Sequence, residues 1–161
     1  MDSTPDRPFS ATSPEGQAYA KIQASVQRTL EKLASETEET KKHIADQGHG
    51  RSKKTVTLIA KQCIAAIENV RNTISNQYYW VISEVPDVKQ PLINRLMLNA
   101  QNHLQKVLQV SEDQLRATTT LVKNPLLFDE FYPDLSKSYE KSLVIVRKYV
   151  DSYADQKYWS S

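Results

Sequence analysis

The chain has 161 residues, with 21 Lys and Arg against 19 Asp and Glu, a formal charge of +2. That length fits one domain, and the near-neutral balance excludes the strongly basic face of a nucleic-acid binder. Hydrophobic residues make up 39% and three glycines add little, against ~45–50% for globular chains, so any core is thin. All three glycines lie at or before Gly50. Their absence afterwards argues against phosphate-cradling loops and tight-turned β folds, both of which use positive φ.

Met1 to Thr12 is rich in Pro, Ser, Asp and Thr and lacks apolar periodicity, which reads as a disordered leader before a single helical domain over residues 13–161. It has no apolar h-region, so no secretory signal is expected, and a lone cysteine forms no internal disulfide; both point to a reducing, cytoplasmic setting. The first helix opens with Ser13 as cap, Pro14 at the first helical position and Glu15 in the first turn, and runs to about Asp46 before Gly48-His49-Gly50 stops it. A second helix spans about Ser52 to Val85. The charge-free stretch within it, Asn72 to Ser83, is only 12 residues and carries several polar side chains, whereas a membrane span needs ~20 apolar residues. A third helix starts near Pro91 and fades before Asn124-Pro125, and a fourth runs from about Pro133-Asp134 to Lys157. Short connectors fold the four back as an antiparallel bundle.

Apolar positions recur at spacings of 3, 4 and 4. The second helix shows Val56, Ile59, Cys63, then Ile67, Val70, Ile74, then Tyr78, Val81, Val85. The third shows Ile93, Leu96, Ala100, then Leu104, Val107, Ser111, then Leu115, Thr118, Val122. The first gives Tyr19, Ile22, Val26, Leu30, Leu33, Thr37 and the fourth Tyr132, Leu135, Tyr139, Leu143, Val146, Val150. This 11-residue repeat corresponds to about 3.67 residues per turn, so each stripe keeps to one side of its helix. Two readings share this pattern: a bundle core, or a face that lies in a lipid surface. The polar face of the third helix favours the second, being built of Asn, Gln and Thr with few charges between Lys89 and Lys123. Adsorption by such a helix rests on buried apolar area. The candidate lipid-binding residues are Val56, Ile59, Ile67, Val70, Ile74, Trp80, Val81, Ile93, Leu96, Leu104, Val107 and Leu115.

Between the second and third helices lies Glu84-Val85-Pro86-Asp87-Val88-Lys89-Gln90-Pro91, followed by Leu92, Ile93, Leu96, Leu98 and Asn99-Ala100-Gln101. The two prolines break the helical ladder and force extended backbone at Val85 and Gln90, making Pro86 and Pro91 the hinge of an elbow between two amphipathic arms. Over residues 80–101 the chain resembles the N-terminal homology region of the perilipins, the lipid-droplet coat proteins. The resemblance implies a protein at the lipid-droplet surface and in the cytoplasm, bound peripherally to the phospholipid monolayer. It also implies control of access by lipases or their regulators, and no catalysis. Self-association is compatible with it. A cytosolic helical-bundle module that binds other proteins is the alternative.

No residue set points to an enzyme, a cofactor or a metal. Cys63 sits on the apolar stripe as a small hydrophobe. Glu39 and His43 share a helical face, but His49 falls in the glycine break and completes no ligand set. His103 borders the third stripe. Tyr78-Tyr79-Trp80 precede the elbow, Phe128, Phe131 and Tyr132 are assigned to the third connector, and Tyr149, Tyr153, Tyr158 and Trp159 crowd the C-terminus. These rings either pack between helix ends or anchor at a headgroup level. The chain up to Gly50 is mildly acidic and the remainder mildly basic.

Overall fold

Ser13 starts the first helix as its sequence requires: its hydroxyl accepts the Gly16 N–H at 3.1 Å and its carbonyl the Gln17 N–H at 2.9 Å, with Pro14 next in line. The computed structural model describes residues 10–46 and 53–160, in four helices: α1 (Pro14–Asp46), α2 (Lys53–Glu84), α3 (Gln90–Leu121) and α4 (Leu126–Ser160). No strand occurs among the described residues. Of the expected leader, residues 1–9 lie outside the described residues, as do the Gly48-His49-Gly50 break and the helix start at Ser52. Residues 10–12 form a turn in which the Ser13 hydroxyl donates to the Ser10 carbonyl at 2.7 Å. The turn closes so tightly on the helix that a Cβ at position 16 would collide with the Ser10 carbonyl oxygen, which accounts for Gly16.

Cross-helix contacts fix the directions. Ser25 meets Thr73 and Thr29 meets Asn69, so α1 and α2 are antiparallel; Cys63 meets Ser111 and Tyr78 meets Leu96, so α2 and α3 are too. Lys53 meets Glu130 and Tyr79 meets Tyr153, so α2 and α4 run parallel. Helices α2 and α3 form the central pair, with α1 against both on one side and α4 against both on the other; among the described residues the backbones of α1 and α4 make no close approach. The apolar stripes converge on this arrangement. Every repeat position of α3 from Ile93 to Val122 is buried, as is every one of α2 from Val56 to Val81. The polar members of the repeat, Thr37, Ser111 and Thr118, are fully enclosed with them.

Two local expectations fail for identifiable reasons. Helix α4 begins at Leu126, not at Pro133, so Phe128, Phe131 and Tyr132 are helical rather than connector residues. Pro133 stands inside the helix, where it withholds the N–H that would reach the Asp129 carbonyl. Both residues are exposed, while Leu127 and Leu135 are buried on either side and hold the helix together. At the elbow the extended residue is Lys89 (φ −104°, ψ 156°), and Gln90 is already helical despite preceding Pro91. Burial of Leu92, Ile93 and Leu96 one turn on outweighs the pre-proline clash. The end of α3 then uses positive φ without a glycine. Lys123, at φ 59°, donates its N–H to Thr120, and Asn124 donates to Thr119, both at 3.0 Å, which is a Schellman termination.

Two substitutions test these assignments by chemical denaturation. Lys123→Gly relieves the left-handed strain and raises stability by about 1 kcal/mol. Pro133→Ala restores an interior helix bond and raises it by about 1–3 kcal/mol. No gain from either variant contradicts the corresponding backbone conformation.

Candidate functional site

The elbow gathers four helix ends: the start of α1, the end of α2, the start of α3 and the end of α4. The chain path accounts for this, since α1 and α3 run one way and α2 and α4 the other. Pro86 and Pro91 are both exposed, and between them Val88 turns inward onto the core. Across the α2–α3 pair the Tyr78 hydroxyl donates to the Leu96 carbonyl at 2.6 Å; burial, with Glu15 and Tyr19 nearby, drives this phenol far above its ordinary range. Arg95 on α3 clasps the buried carboxylate of Glu15 on α1, with its Nε 2.8 Å from Oε2 and its Nη2 3.0 Å from Oε1. A forked pair of this kind fixes geometry as well as charge. Lys21 reaches over the Trp80 ring at 5.2 Å.

From the C-terminal side, the Lys157 ammonium on α4 donates to the carbonyls of Ile82 at 2.7 Å and Ser83 at 3.3 Å, and to that of Val85. Beside it the Tyr79 and Tyr153 rings meet edge to face at 4.9 Å, and Tyr149 stacks on Tyr153.

The candidate lipid-contacting side chains face inward. Val56, Ile59, Ile67, Val70, Ile74, Val81, Leu104, Val107 and Leu115 are wholly enclosed, Leu96 and Ile93 nearly so, and Trp80 is half-buried. The structure brings the α2 and α3 members together along the central pair, so in this closed form none of these stripes is an outward face. The exposed large apolar side chains are other residues, among them Leu98, Leu121, Leu126 and Val144.

Helix α1 is held differently. Its contacts with α2 include a polar ladder: Ser25 to Thr73 at 3.2 Å, Asn69 to Thr29 at 3.0 Å and Gln62 to Thr40 at 2.7 Å. Thr37 adds a bond to Gln114 of α3 at 3.1 Å. Neither this ladder nor the Glu15–Arg95 and Lys157 contacts is visible in the apolar repeat. The one available signal is the run of Ser and Thr beside the α1 stripe at helical spacing.

The remaining candidates for chemistry are packed as structural residues. Cys63 is buried with its Sγ 3.8 Å from the Ser111 carbonyl, and burial pushes its thiol up to about 11, so the nucleophilic thiolate is suppressed. Glu39 and His43 line an open groove with Thr40 and Gln62, and no three potential metal ligands converge among the described residues. His103 is enclosed against the Tyr19 ring at 4.9 Å, and burial, with the Lys106 charge adding to it, lowers its pKa to about 4. Comparison with family models, with curated proteins and with solved structures finds no match.

His103 yields a pH dependence. It is neutral when folded and regains its ordinary pKa of about 6.5 when unfolded, so below that value the unfolded chain binds the extra proton. The stability His103 contributes is therefore lost as pH falls from about 6.5 to about 4. Replacing it by Phe, which keeps the contact with Tyr19, flattens the stability profile across that window in denaturation measured at stepped pH. An unchanged slope contradicts the assignment.

Proposed function

We propose that the protein is a reversible coat of phospholipid monolayers around neutral lipid, closed as a bundle in water and opened at the monolayer, as in the perilipins that residues 80–101 resemble. One observation carries the reading: the closed core seals in polar groups that it does not satisfy. Among the described residues, Gln62 Oε1, Ser75 Oγ, Gln77 Oε1, His103 Nε2, Ser111 Oγ and Ser142 Oγ are buried without a hydrogen-bond partner. Each such atom costs about 1–3 kcal/mol. The stripes that enclose them run along helices of more than thirty residues. Opening returns to water those of these polar atoms that lie off the apolar stripes, Ser111 being the one that belongs to a stripe, and a lipid surface then takes up the stripes, each large aliphatic contributing about 1.5–3 kcal/mol when fully buried.

On this reading Val56 to Val81 and Ile93 to Leu115 lie in the monolayer, with Pro86 and Pro91 as the hinge. The protein resides at the droplet surface and in the cytoplasm, and the occupied surface governs access by lipases or their regulators. No helix among the described residues is long and apolar enough to cross a membrane, so attachment is peripheral. The near-neutral charge makes it weakly dependent on salt.

The second reading, a bundle that stays closed and binds other proteins, is favoured by the burial of the α2 stripe from Val56 to Val81 and of the α3 stripe from Ile93 to Val122. A covalent lock separates the two. Lys53 on α2 and Glu130 on α4 pair at 2.6 Å and are both accessible. In a Cys63→Ala background, Lys53→Cys and Glu130→Cys joined by a short bismaleimide hold the arms shut. The unlocked protein floats with triolein–phosphatidylcholine emulsion and the locked protein stays in the aqueous fraction. Equal flotation of both rules out the opening, and no flotation of either favours the closed module.

A further inference from the structure

We propose that Lys157 is the latch of the elbow, an autoinhibitory contact that holds the α3–α4 arm shut against the α1–α2 arm. The inference rests on the opening described above and names the contact that restrains it. In a continuing helix the Ile82 carbonyl would accept the N–H four residues later, and that residue is proline, which has none. The ladder ends with the Val85 N–H on the Val81 carbonyl at 3.0 Å. The carbonyls of Ile82, Ser83 and Val85 are left at the negative end of α2, facing the last turn of α4.

Lys157 supplies the missing donors. Its ammonium carries three N–H groups and meets three acceptors, all at that terminus. The donor belongs to one arm and the acceptors to the other. The polypeptide connects the arms only at the elbow next to this contact, so they cannot swing apart about Pro86 and Pro91 without breaking it. A second charged tie, Glu15 to Arg95, also bridges the arms at this end. Lys157 is the tie that depends on the proline itself: the residue that makes the hinge creates the orphan carbonyl that latches it. The side chain is only half-buried, so water competes for the ammonium and the latch is releasable.

Hydrogen exchange on the full-length protein tests this without lipid. Lys157→Met keeps the apolar stem and removes the charge, and amide exchange across residues 78–93 on both sides of the elbow speeds up about tenfold. Lys157→Arg restores protection. Helicity by circular dichroism stays near that of the parent protein, which distinguishes an opened bundle from an unfolded one. Exchange that quickens only in the last turn of α4, or not at all, overturns the latch. Flotation with triolein–phosphatidylcholine emulsion is the second readout, with Lys157→Met adsorbing faster than the parent. If the elbow loosens but neither protein floats, the latch stands and the lipid-coat reading fails.

Discussion

Everything in this fold depends on the seam between α2 and α3. Because the backbones of α1 and α4 make no close approach among the described residues, neither can complete the core without the central pair, and each outer helix is stabilised mainly by what that pair presents. The seam runs the length of both helices, from Val56 through Val81 on one side and from Ile93 through Val122 on the other. It can do so because a repeat near 3.67 residues per turn keeps the apolar face pointing one way along an almost straight helix. The short connection between Glu84 and Gln90 then permits only the antiparallel alignment.

The outer helices are attached by different physics. Against α2, α4 sets apolar and aromatic side chains such as Leu135, Val146 and Val150 in the core, with Tyr153 against Tyr79. Helix α1 adds fewer large aliphatics and relies on hydroxyl and amide side chains that pair across the interface at Ser25, Thr29, Thr37 and Thr40. Hydrogen bonds of this kind are worth little net energy because water offers the same, yet they penalise every wrong alignment by leaving buried groups unpaired. The ladder therefore sets the register of α1 more than it adds to stability. The apolar burial at Ile22, Val26 and Leu33 holds the helix down.

How far the sequence reveals this follows from which forces are periodic. Hydrophobic burial repeats with the helix, so the stripes, the four helices and even the enclosed Thr37, Ser111 and Thr118 could be read directly. Helix ends set by burial over several turns could not. Pro133 looks like a start because local chemistry favours it there, and the flanking Leu127 and Leu135 override that preference. Lys123 occupies a position where glycine is normally sought, so a rule about glycine misses it. Contacts such as Glu15 with Arg95, far apart in sequence, are single events with no period to betray them. For the candidate site, the elbow and its stripes were legible as residues, and their inward orientation was one of two readings that periodicity leaves equal.

That equivalence bears on what the stripes can do. Apolar burial is non-directional and scales with the area removed from water, so a stripe that fits a neighbouring helix fits a lipid surface on the same terms. The choice between them passes to the directional contacts, since a monolayer's apolar interior offers no partner for Arg95 with Glu15, for the Ser and Thr ladder, or for the α2 carbonyls held by Lys157. These contacts favour the closed state, and the buried atoms at Gln62, Ser75, Gln77, His103, Ser111 and Ser142 oppose it. The balance between the two polar sets, not the size of the apolar core, decides how readily the bundle opens.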